Sequence, residues 1–141
     1  MRRLFIVRKD LKMSTGKISA QLAHCAECYW LHLIQKNTNL CNEECRADFV
    51  IDKEIWDEYI NGSIRKTICQ AKNKTHLLKA VELANELGLK EGKDYGLIYD
   101  ACYTELTPEE DDGTCLTAFW TAPLKDEIAH AISKKYHLYQ D

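Results

Sequence analysis

A strand-like run followed at once by a long two-faced helix is the feature that most constrains this chain. Residues 2–9 read as a strand, with Leu4, Ile6 and Val7 inward. The loop Asp10-Leu11-Lys12-Met13-Ser14-Thr15 then delivers Ser14 or Thr15 as a helix N-cap. From Gly16 to Lys36, at about 100° per residue, Ile18, Leu22, Cys25, Tyr29 and Leu33 form one apolar stripe. Lys17, Gln21, His24 and Cys28 fall within roughly 60° of one another on a separate edge. The helix can therefore dock on a sheet by one side and present an ammonium, an amide and an imidazole along the other. Lys17 lies in the first turn, where unpaired N–H groups and the helix dipole attract anions. The plainer alternative is a solvated polar face with a lysine set against the dipole.

The rest of the chain supplies partners for that unit. Residues 37–49 are polar and turn-rich, and read as an insertion or a connecting loop with some helical turn. Lys53 to Ile60 is a short helix ended by Asn61-Gly62. Residues 64–71 alternate as a strand, and Lys74 to Leu87 is the clearest amphipathic helix, with Gly88 closing it. Lys93 to Ala101 reads as a buried strand. The acidic stretch Thr107 to Gly113 is a loop, with 109–113 as a second insertion. Thr114 to Ala122 is a strand ended by Pro123, Lys125 to Lys135 a last helix, and Tyr136 to Tyr139 has the character of a terminal strand. This order predicts a single α/β domain over residues 1–141, with three layers, α/β/α, around a small mixed four-stranded sheet. The first two strands should pair in parallel through a right-handed crossover, and the last two main strands antiparallel.

Several function classes fall away. No apolar run approaches the roughly 20 residues of a membrane helix. The apolar part of the N-terminus is too short for a signal peptide, so the expected location is the cytoplasm. Seven cysteines without a secretory signal are expected as reduced thiols. A net charge of -3 argues mildly against nucleic acid, although a local basic patch can sit inside an acidic total. Cys25-x2-Cys28 and Cys41-x3-Cys45 have zinc-like spacing, but the first pair lies in mid-helix and Cys25 belongs to the apolar stripe. Core and surface thiols, and no metal, are the expectation. There is no nucleophile elbow, phosphate-binding loop or dinucleotide fingerprint. The acidic loop lacks the spacing of a calcium-binding EF-hand loop.

In a sheet of this kind, sites collect beyond strand C-terminal ends and at helix N-termini. That gathers the Ser14–Lys17 turn, Asp100 at the end of the third strand, and Thr104 just beyond it. A carboxylate there can orient or deprotonate water, and an ammonium can hold a phosphate or a developing oxyanion. The alternatives are a turn or cap carboxylate for Asp100, turn or strand hydroxyls for Thr104 and Thr117, and a satisfied helix histidine for His24.

The stretch Val7 to His24, with Arg8-Lys9-Asp10-Leu11-Lys12-Met13, Gly16-Lys17 and Ala20-Gln21-Leu22-Ala23-His24, closely resembles the opening of the type II peptidyl-tRNA hydrolases. Tyr99-Asp100-Ala101 with Thr104 resembles that family's Asp-Ala-Gly-x-Thr segment. Pro108, Thr117 and Pro123 fit the following strand, and Ile128 to Tyr139 the closing helix and strand. The resemblance implies a hydrolase that cleaves the ester between a peptide and the terminal ribose of tRNA. It also implies a homodimer with no cofactor. By position it carries over Lys17, Asp100 and Thr104 as catalytic residues, and Gln21, His24 and Thr117 as substrate-binding residues. Two departures stand out. Cys102-Tyr103 replaces the family's glycine and frequent arginine, and four acids, Glu109 to Asp112, stand beside the expected site. Glycine permits a backbone geometry that cysteine resists, and the acids would repel a tRNA backbone. The alternative function is a non-catalytic tRNA- or protein-binding adaptor on the same fold.

Overall fold

The computed structural model describes residues 1–141. Its centre is strand β1 (Arg3–Arg8), in which every residue is buried. Side chains alternate across a strand, so Leu4 and Ile6 join one core while Phe5 and Val7 join another on the opposite face. Helix α1 (Thr15–Lys36) covers the second face through Cys25 and Tyr29. Helices α3 (Lys74–Glu86) and α4 (Asp126–Ser133) cover the first, through Leu77, Ala80, Ala84 and Ile132. The three layers are as expected.

The sheet has five strands, not four. Its order is β5 (Tyr95–Asp100), β6 (Cys115–Thr121), β1, β4 (Lys66–Ala71) and β7 (His137–Leu138). β1 runs parallel to β4, with Arg3 opposite Lys66 and Arg8 opposite Ala71, and the other three pairings are antiparallel. The additional strand is β7, within the tail expected as a terminal strand. It counts as a strand because it covers the otherwise open edge of β4, with Cys69 opposite Leu138 and Gln70 opposite His137.

Residues 37–49 contain no helical turn. They form an antiparallel hairpin, β2 (Thr38–Leu40) with β3 (Cys45–Ala47), almost wholly exposed. The short helix α2 (Lys53–Ile55) continues as a π-helical segment, Trp56–Ser63, that breaks at Gly62. Within β5, Gly96 lies under the indole of Trp120, and a Cβ there would come within 2.4 Å of the ring. That close contact lets Trp120 fill the core beneath α1, where burial of such a side chain contributes about 2–3 kcal/mol.

Candidate active site

The site is built where β1 and β5 end and α1 begins. Ser14 is the N-cap, its Oγ accepting the Lys17 N–H at 3.2 Å. Its own N–H and hydroxyl donate to the two carboxylate oxygens of Glu105, at 2.9 and 2.6 Å. The hydroxyl and backbone bonds from Ser14 hold the Glu105 carboxyl below its ordinary value. An anion thus occupies the positive end of α1.

One turn into the helix, Lys17 and Gln21 face the end of β5. The Lys17 ammonium donates to Asp100 Oδ1 at 2.7 Å and to the Thr104 hydroxyl at 3.3 Å. The Gln21 amide donates to the same Asp100 oxygen at 3.2 Å. Gln21 Oε1 in turn accepts the hydroxyl of Thr117 at 2.5 Å. Gln21 and Thr117 are fully buried, whereas the Lys17 and Asp100 side chains are 13% and 10% exposed. A water-excluded amide–hydroxyl pair therefore supports an ion pair that reaches the surface.

Burial pushes the Asp100 carboxyl up. The hydrogen bond from Lys17, the Cys102 N–H, the lysine charge and the Gln21 amide together outweigh it, so its pKa lies below the ordinary value. Asp100 is a carboxylate at neutral pH. Its second oxygen accepts the Cys102 N–H at 2.9 Å. That bond requires a tight turn, and Cys102 sits at φ 61° in the left-handed region that favours glycine. Partial burial and the charge of Asp100 raise the Cys102 thiol, which leaves it un-ionised and a poor nucleophile.

Against this geometry, a sequence model of the family described as peptidyl-tRNA hydrolase PTH2 matches residues 1–139. The chain belongs to the peptidyl-tRNA hydrolase PTH2 family. It is 32% identical to a protein of Sulfolobus acidocaldarius named peptidyl-tRNA hydrolase, over 77% of this chain and 78% of that one. It is 25% identical to one of the same name from Thermoplasma acidophilum, over 94% of this chain and 92% of that one. A third, from Methanopyrus kandleri, is 29% identical over 76% and 75% of the two chains.

Of the six residues that the resemblance carried over, the structure joins Lys17, Gln21, Asp100, Thr104 and Thr117 in one hydrogen-bonded network. His24 is not part of it. It lies on the exposed side of α1, lining a shallow groove with Cys28, Leu31 and Tyr99. Thr117 is fully buried, and its hydroxyl donates to Gln21 Oε1.

The acidic loop is not the free negative patch that the sequence suggested. Glu109 is a counter-ion of Arg8, whose side chain is 3% exposed and is also paired with Asp10 at 2.7 Å. The hydrogen bond from Arg8 is the main reason that the Glu109 carboxyl lies below its ordinary value. Glu110 pairs with Lys74, and Asp112 accepts both the N–H and the hydroxyl of Thr114. Only Asp111 of the four makes neither a salt bridge nor a side-chain hydrogen bond. For a member of this family that leaves less repulsion beside the site than the composition implies. The Glu105 cap and the Asp100–Cys102 backbone bond went unseen in the sequence, although the replacement of a glycine by Cys102 marked the turn that makes the second.

Proposed function

We propose that this member of the family hydrolyses the ester between the peptide and the terminal ribose of peptidyl-tRNA, with Asp100 and Lys17 at the reacting centre. Asp100 orients the attacking water. Its low pKa makes it a weak base, so the water proton transfers during attack rather than before it. The water oxygen bonds to the acyl carbon, the acyl–oxygen bond breaks, and the proton ends on the ribose hydroxyl. Lys17 holds Asp100 and offers positive charge to the developing oxyanion. Thr104, at the rim, donates to the ester or to the tRNA end, and Gln21 and Thr117 position Asp100.

The observation that carries this reading is the sharing of one Asp100 oxygen between Lys17 and Gln21 at a strand end that opens to solvent. The cations Lys9, Lys12 and Lys72 stand at the same end of β1 and β4, where phosphates can run. No helix is long and apolar enough to cross a membrane, which suits work in the cytoplasm. Pairing of two chains belongs to the proposal and is read by sedimentation. The non-catalytic alternative is not favoured by the family match. The test is incubation of native protein with an N-blocked aminoacyl-tRNA. Release of both the blocked amino acid and intact tRNA supports the reading, and recovery of uncleaved ester overturns it.

A further inference from the structure

We infer that Tyr103 is a stacking platform for the base of the terminal nucleotide, an inference that rests on the hydrolase reading. The residues on either side of it are both fixed to the reacting pair. Cys102 gives its N–H to Asp100 at 2.9 Å, and Thr104 receives the Lys17 ammonium at 3.3 Å. The segment that carries Tyr103 is therefore tied to that pair by the Cys102 backbone on one side and the Thr104 side chain on the other, and the turn at Cys102, φ 61°, sets its direction. Yet Tyr103 is 91% exposed, and no hydrogen bond or aromatic contact engages its side chain. An aromatic ring left bare on a turn beside the proposed reacting centre has its face free for a ligand.

The substrate supplies a matching surface. The base hangs from the same ribose that carries the ester, so an ester seated at Asp100 brings the base within a side chain's reach of residue 103. The acceptor end is single-stranded, and an unpaired base stacks on an aromatic ring without regard to sequence. An arginine at this position would offer charge to phosphate. A tyrosine offers an aromatic face instead, which shifts recognition from phosphate charge toward the base.

The test compares native protein, Tyr103→Ala and Tyr103→Phe on two N-blocked aminoacyl-tRNAs, one natural and one with an abasic terminal nucleotide. On the natural substrate, Tyr103→Ala should raise KM roughly 5- to 100-fold and leave kcat within about twofold. Tyr103→Phe should behave as native, since the ring is retained. On the abasic substrate, native and Tyr103→Ala should share one KM, a result that a merely structural tyrosine would not give. Turnover by native protein with an unchanged KM in Tyr103→Ala overturns the stacking alone. A Tyr103→Phe defect as large as that of Tyr103→Ala also overturns it, in favour of a hydroxyl contact. Absence of turnover by native protein overturns the hydrolase reading, and the stacking with it.

Discussion

Two cations join helix α1 to the sheet, and they are surrounded differently. Arg3, at the start of β1, is 1% exposed and donates to three backbone carbonyls: Thr121 at 2.7 Å, Ala26 at 2.7 Å and Cys25 at 2.8 Å. Its guanidinium also lies over the rings of Phe5 and Tyr29. Burial draws its pKa down, and no carboxylate accompanies it. Lys17, near the other end of the same strand, meets a carboxylate and a hydroxyl at the surface. Neutral acceptors in a dry setting fasten an arginine and leave nothing for a substrate. A charged pair at the rim keeps oxygen lone pairs and ammonium protons within reach of an incoming ester. The difference separates a fastening from the proposed reacting centre on one helix.

The separation can be broken most sharply at Lys17. In Lys17→Ala the rate of ester hydrolysis should fall about 10²- to 10³-fold, while the denaturant midpoint falls by less than it does in Arg3→Leu. A large loss of stability with modest loss of rate would make Lys17 another fastening. At Arg3 the expected effects are reversed. Arg3→Leu leaves three carbonyls without their donor and should cost about 3 kcal/mol in urea unfolding, with the rate per folded molecule within about twofold. Loss of activity in a folded Arg3→Leu protein would join the two places into one functional unit.

The pH profile sharpens the comparison further. The Asp100 pKa is depressed in the folded state, so its pairing stabilises the protein above the ordinary aspartate value. That contribution is lost as pH falls through the lower, folded value. Activity should therefore hold from neutrality down to about pH 4 and decline only below it. An acid limb near pH 6 would assign the titration to another group. The smallest effect is expected at Cys102. Replacing it with glycine relieves a left-handed residue and should stabilise the protein by about 0.5–1 kcal/mol, read by thermal or denaturant unfolding. A destabilised Cys102→Gly protein would mean that the thiol packing outweighs the strain.

Much of this architecture is legible in the sequence because it depends on local pattern. The apolar stripe of α1, the cap at Ser14 and the alternation of β1 follow from periods of 3.6 and 2 and from turn chemistry. Lys17 and Asp100 could be brought together because one lies at a helix N-terminus and the other at a strand C-terminal end, where sites collect in such sheets. The misses are long-range. The burial of Arg3 and Arg8 depends on a carbonyl and a carboxylate from more than 100 residues away, at Thr121 and Glu109. Whether Tyr136 to Tyr139 becomes a strand is decided by the open edge of β4. Gln21 sits on the polar edge by helical angle, yet it is fully buried because Thr117 reaches it across the sheet. His24 shares that edge and stays in solvent, because no side chain of β5 or β6 turns toward it with a hydrogen bond.

The most direct measurement of the central claim is peptide release from an N-blocked aminoacyl-tRNA by native protein and by Asp100→Asn, with urea unfolding of both proteins alongside. The substitution keeps the shape of the side chain and removes the charge that Lys17 and Gln21 are arranged around. The account predicts native turnover, a fall of about 10³-fold or more in Asp100→Asn, and an intact fold in both. Comparable turnover by a folded Asp100→Asn protein would contradict it, and would place the chemistry away from the Lys17–Asp100 pair.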